Sequence, residues 1–228
     1  MQVCAGVCLL LCLLCSDVVL AESNGVDINT LRKIIDYFQA KFSPGENKPY
    51  GVAINVHQDY CSSKFDSIQD RFLPNDTQQA VQKGLKKSFY KGQELMAAKT
   101  VAMKVQKLSV RAEYILLYPP NPSKSPLQVL LDRTEPDSCV VFYTLTAPCV
   151  RTCANVNGPY SLLPGLDLLT KYQGPKAFVF SQPWNGDEDA SGSLKEIDQH
   201  VPLYRCTHQC VACRGSQGDD PINKECIN

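Results

Sequence analysis

Histidine is scarce in this sequence: His57, His200 and His208 are the whole supply in 228 residues. No G-x-S-x-G occurs either, so a serine hydrolase is disfavoured on both counts. An excess of one charge is missing too. Lys+Arg and Asp+Glu balance at 23 each, which removes the bulk positive field that draws a chain to nucleic acid or anionic membrane. The apolar run from Val3 to Cys15 is too short to span a bilayer, Ser16-Asp17 interrupt the hydrophobic stretch soon after it, and no second run is long enough. There is no internal repeat. What is present is the composition of an ordinary globular chain, 44% hydrophobic and 20% charged, long enough for a sizeable core.

Residues 1–21 read as a secretory signal, with Val19 and Ala21 as the small residues before cleavage and Glu22 as the first mature residue. An uncleaved anchor is the rival reading, because no Lys or Arg precedes the apolar run. Export predicts an extracellular, oxidising setting. Cys4, Cys8, Cys12 and Cys15 leave with the signal, and Cys61, Cys139, Cys149, Cys153, Cys206, Cys210, Cys213 and Cys226 remain. An even set in that compartment points to disulfides, whose pairing sequence does not fix. Asn75-Asp76-Thr77 is an acceptable glycosylation sequon, and Asn75 after Pro74 is expected at the surface; Pro122 spoils the second candidate at Asn121.

The chain is organised around residues 138–160. Val140 to Leu145 is a β-branched and aromatic run that predicts a buried strand, stopped by Thr146, Ala147 and Pro148. Pro148 suits the first turn of a helix, which would place Cys149 and Cys153 one turn apart on one face at its positive end. Two readings stand: a pair of metal-binding thiolates, or plain disulfide cysteines. Around this centre, Asp27 caps a helix striped with Ile28, Leu31, Ile34, Ile35, Tyr37 and Phe38. Gly51–Val56 reads as a strand pairing with Leu95–Val105, and Thr77–Phe89 as a surface helix. Its Lys83, Lys86, Lys87 and Lys91 are read as a solvated face rather than a binding patch. Arg111–Leu117, Ser125–Asp132, Leu162–Tyr172 and Ser193–His200 (capped by Ser193) are expected helices. Ala177–Phe180 is expected as a buried strand and Val201–Cys206 as an edge strand weakened by Pro202. The order predicts a three-layer α/β domain over 22–205, a mixed sheet of about five strands flanked by helices, and a disulfide-rich tail over 206–228.

Nucleobase deaminases bind zinc through two thiolates and a third ligand, and use a glutamate to move protons. Their signature pairs H-x-E at one helix start with P-C-x-x-C at another. This chain carries Arg111-Ala112-Glu113 and Ala147-Pro148-Cys149-Val150-Arg151-Thr152-Cys153. On these residues, and on the order of strands and helices around them, it resembles the secreted relatives of the AID/APOBEC-like cytidine deaminases. The resemblance implies that Glu113 is the proton shuttle, that Cys149 and Cys153 hold zinc, and that Ala147 and Pro148 shape the pocket mouth. It places the loop with Trp184 beside neighbouring nucleotides, and implies a role in host defence on a nucleoside or single-stranded nucleic acid.

Two departures cut against activity. Arg111 stands where the zinc-binding histidine belongs, and a guanidinium offers only donors and a fixed positive charge. The cysteine spacing is C-x-x-x-C. His57, near the end of the first strand, is a substitute ligand to be tested. With its third ligand gone the site should hold zinc poorly. Arg111 is then expected to pair with Glu113 or bind an anion, leaving the two cysteines free to oxidise. Asp187, Glu188 and Asp189 after Trp184 would repel phosphates. In the tail, Cys206, His208, Cys210 and Cys213 read as a zinc knuckle or, better suited to an extracellular setting, as disulfides. Two functions remain in view: a secreted zinc-dependent deaminase, and a catalytically silent relative that binds an extracellular partner.

Overall fold

The computed structural model describes residues 25–45, 49–61, 71–102, 109–119, 124–150, 152–155, 157–183, 185, 189–214 and 220–228; the secretory signal expected over 1–21 lies outside them. The first helix, α1 (Ile28–Phe42), is capped by Asp27, whose Oδ1 accepts from the Thr30 amide at 2.8 Å. Leu31, Ile34, Ile35 and Phe38 form the buried stripe expected from the sequence; Phe42 extends it, whereas Ile28 and Tyr37, also expected on it, are only half-buried. β1 (Tyr50–Val56) leads to a single 3-10 turn, and then come α2 (Gln78–Lys86), β2 (Phe89–Lys91) and β3 (Leu95–Lys99). A small ribbon, β4 (Val101–Ala102) and β5 (Ser109–Val110), precedes α3 (Ala112–Leu117) and α4 (Pro126–Leu131). The chain closes with β6 (Cys139–Thr146), α5 (Leu163–Lys171), β7 (Lys176–Gln182), α6 (Ser191–His200), β8 (Leu203–Cys206), β9 (Cys210–Ala212) and α7 (Lys224–Ile227).

The main sheet is mixed and seven-stranded, in the order β2-β3-β1-β6-β7-β8-β9. β1 lies antiparallel between β3 and β6, while β6, β7 and β8 run parallel. β6 is covered on both faces, which is why its sequence reads as a continuous apolar run rather than an alternating one. Val140 and Phe142 pack with α3, α4, α5 and α6, whereas Val141 and Tyr143 pack with α1 and α2. The result is three layers, as expected. On the α1 face a polar cluster sits inside the apolar packing: Gln39 Nε2 donates to Ser181 Oγ at 3.1 Å, and the Tyr143 hydroxyl lies 2.9 Å from the same oxygen.

Several expectations need correction. The sheet has two strands beyond the five or so expected, because β2 and β9 are three-residue strands whose pairing comes from their neighbours. β8 is therefore interior, not an edge; β9, from the tail, lies outside it. The strand expected over 95–105 stops at Lys99, although its pairing with β1 is as expected. Ser193 does not cap α6. Asp189 accepts from the Ser191 amide at 2.9 Å, and the Ser193 hydroxyl instead donates to the Val150 carbonyl at 3.0 Å.

All eight cysteines of the described chain are paired: Cys61–Cys139, Cys149–Cys153, Cys206–Cys210 and Cys213–Cys226. The tail thus links to itself and not to Cys61 or Cys139. Its zinc-knuckle reading fails, since Cys206 and Cys210 are bonded to each other across the β8–β9 hairpin.

Buried and half-buried tyrosines are expected to make the fold sensitive to alkali. Burial, then the nearby Asp137 charge, pushes the Tyr172 phenol up to about 12. Burial also raises Tyr50, Tyr143 and Tyr204. In the unfolded chain these groups ionise near about pH 10, so the stabilisation is complete below that and is lost as pH rises through the folded-state values, for Tyr172 at about 12. Absorbance at 295 nm and far-UV circular dichroism should therefore change together over this window. Tyrosinate absorbance rising smoothly while the dichroism holds would show that these phenols ionise inside the intact fold.

Candidate functional site

The site forms where β6 ends. Arg111 occupies the N-cap of α3 but makes no capping bond, because a guanidinium has no acceptor to offer the free amides of a first turn. It turns back instead onto its own helix and across to β6. Its Nη2 donates to Glu113 Oε1 at 2.9 Å, with Nε at 3.3 Å from the same oxygen. The same Nη2 lies 3.2 Å from Thr146 Oγ1 and 3.1 Å from the Ala147 carbonyl. The Glu113 side chain is only 3% exposed and that of Arg111 24%, so the pair closes over a buried carboxylate.

Ala147 and Pro148 are both buried, and the Ala147 amide donates to the Gln182 carbonyl at the end of β7. The loop after β7 therefore leaves the sheet beside Thr146, in register with Gln182. Trp184 on that loop lies outside the described residues. α5 is drawn close to α3 because Gly165 faces Leu117, where an added Cβ would sit 2.8 Å from that residue's Cβ.

Pro148 does not open a helix. Residues 147–149 belong to no helix or strand, and the Cys153 amide reaches the Cys149 carbonyl at 3.3 Å. The Leu162 amide then donates to the Cys153 carbonyl at 2.7 Å, holding the segment as a loop until α5 begins. Cys149 and Cys153 are 8% and 1% exposed and joined as a disulfide with Cα atoms 5.2 Å apart. They pack in the same apolar cluster as Ala112, Leu116 and Ala147. Arg111, Glu113, Ala147, Pro148 and both sulfurs are thus gathered on one face of the sheet.

His57 is not gathered there. It follows Val56, which is in register with Cys139 at the opposite end of β6. Thr146 lies seven positions after Cys139, about 23 Å along a strand. Its ring faces Asp59 and Glu135 instead, at 3.4 and 3.6 Å. Thr146, which helps hold Arg111, is not among the residues the sequence singles out, and Ala147 is expected there for the pocket mouth and not for its carbonyl; their place directly before Pro148-Cys149 is the available signal.

A zinc ion does not fit this donor set. Sulfurs bonded to each other have no thiolate lone pair of the kind a metal takes, and the third position holds a cation. Among the described residues, no group of three His, Cys, Asp or Glu side chains could hold a metal.

A mixed sheet with parallel β6, β7 and β8, a glutamate at the start of α3 and a Pro-Cys pair after β6 together define a deaminase-like α/β fold. The chain belongs to the family described as Secreted Novel AID/APOBEC-like Deaminase 1, whose model matches residues 28–228. No curated protein matches it. Among the described residues no helix is long and apolar enough to cross a membrane.

Proposed function

We propose that this chain is a secreted deaminase-family protein whose hydrolytic site has been closed, and that it acts in host defence by binding an extracellular partner. The observation that carries this reading is the 2.9 Å contact between Arg111 Nη2 and Glu113 Oε1. A glutamate that shuttles protons must reach a water and a ring nitrogen. Here one of its oxygens is held by a guanidinium that is itself fixed to Thr146 and Ala147. The Cys149–Cys153 disulfide supports the same reading, because sulfurs bonded to each other are not thiolate ligands. Asn75 is exposed and its neighbour Thr77 caps α2, a setting open to a glycan, and we include N-glycosylation there in the proposal.

The competing reading is an active zinc deaminase acting on a nucleoside or single-stranded nucleic acid, with Trp184 contacting a base. It is favoured by the retention of Glu113 on the same face as Pro148, Cys149 and Cys153. It requires reduced sulfurs and an Arg111 withdrawn from Glu113. The two are separated by assaying zinc content and deamination of cytidine and single-stranded DNA, with and without a thiol reductant. The native protein should be inactive in both states, and activity appearing only in reduced Arg111→His protein would show that the missing imidazole and the bridge are the block. Turnover by the oxidised native protein would overturn the proposal.

A further inference from the structure

The chain is neutral as a whole, but its charge is not evenly spread. Between Thr77 and Lys99 stand Lys83, Lys86, Lys87, Lys91 and Lys99, against Glu94 alone. The fold draws these lysines to one edge of the sheet. On α2 and at its C-cap, Lys83, Lys86 and Lys87 are spaced i, i+3 and i+4 and so share a face, while Val81 and Leu85 are buried on the other. Gly84 permits α2 to lie directly on the edge strand β2: a Cβ there would meet the Tyr90 Cβ at 2.6 Å. The turn after α2 is made at Ser88, in the left-handed region at φ 92°, and the Lys99 amide donates to its carbonyl at 3.0 Å. This fold-back brings the Lys99 ammonium to the Lys86 carbonyl at 3.0 Å.

Lys83, Lys86, Lys87 and Lys91 are exposed, and none forms an ion pair among the described residues. The nearby acids are turned elsewhere. Asp76 is buried and accepts from the Tyr90 hydroxyl and the Gln93 and Glu94 amides, and Glu94 accepts from the Asn75 amide at 3.2 Å. Like charges at helical i,i+4 spacing are destabilising, so folding alone does not call for this face.

We infer that the α2–β2 edge is a binding surface for a sulfated polysaccharide. Ammonium groups on flexible stems suit a flexible polyanion read by charge density rather than by shape. Single-stranded nucleic acid is the weaker match, because its binders add aromatic platforms for the bases. The rings at this edge are already engaged, Phe89 in the packing under α3 and α4, and Tyr90 in the packing under α1 and α2 and with Asp76. Secretion, the family's stated property, puts the chain where sulfated polysaccharides are found. The inference does not depend on whether the β6 site is closed.

The test is binding to heparin, followed by salt-gradient elution and by affinity measured across a range of salt. Native protein should be retained near physiological salt. The variant Lys83→Gln/Lys86→Gln/Lys87→Gln should bind about tenfold more weakly or worse, with a log-affinity against log-salt slope shallower by about 2, as expected for lost counterion-releasing contacts. A control of equal net charge, Lys171→Gln/Lys195→Gln/Lys224→Gln on α5, α6 and α7, should bind as native. Circular dichroism checks that both variants are folded. No retention of the native protein, an equal loss in the control, or tighter binding to single-stranded DNA of matched charge would each overturn the assignment.

Discussion

Arg111→Met should destabilise the protein by about 3 kcal/mol, since removing one partner leaves the other charge buried and unpaired. The Glu113 side chain is 3% exposed and Arg111 supplies two of its guanidinium nitrogens to Oε1. Breaking a fully buried pair costs about 3–5 kcal/mol; the 24% exposure of Arg111 lets water reach the site and sets the lower end of that range. For a domain of this size the melting temperature should fall by roughly 6–12 °C. The double variant Arg111→Met/Glu113→Leu should recover most of the loss, because it removes the stranded carboxylate with its partner. Chemical denaturation of the two single variants and the double variant measures this coupling. A single variant within about 0.5 kcal/mol of native would mean that the ion pair is a surface contact of little weight.

The second large effect concerns the disulfide Cys61–Cys139, which closes a separation of 78 residues onto the first residue of β6. Loop-closure entropy assigns it about 4.5 kcal/mol, against about 2 kcal/mol for a bridge across four residues such as Cys149–Cys153. The shorter bridge also spans a turn already held by the Cys153 amide to Cys149 carbonyl bond. Paired Cys→Ala variants should therefore rank clearly: the Cys61/Cys139 pair should lower the melting temperature by roughly 10–15 °C, and the Cys149/Cys153 pair by less than half as much. Alanine avoids burying a hydroxyl at Cys139, which is fully buried. Equal or inverted losses would show that the short bridge is structural and not the residue of a former metal site.

The sequence revealed most where one physical signal dominated. The α1 stripe and the apolar run of β6 follow from periodicity and β-propensity, whereas residues 95–105 suit helix or strand by propensity and their pairing with β1 is settled by the sheet. β2 and β9 were not legible, because a three-residue strand has no period and takes its register from its neighbours. At the site, Arg111 and Glu113 sit two residues apart and their pairing was foreseeable. Thr146 and Ala147, which complete the closure, lie 35 and 36 residues further on and enter only through the packing of α3 against the sheet. The helix expected from Pro148 misjudged local turn chemistry. Asn155, Asn157 and Gly158 bond among themselves, with Gly158 donating to the Asn155 carbonyl and Asn157 to its side chain, and they hold the chain out of helix until α5.

The most direct test is the zinc content of the purified, oxidised protein, measured per chain by mass spectrometry alongside a thiol count. With Arg111 in the ligand position and the Cys149 and Cys153 sulfurs bonded to each other, the expected result is a trace of zinc and no free thiol. A full equivalent of zinc, lost on Cys149→Ser, would contradict the closed site.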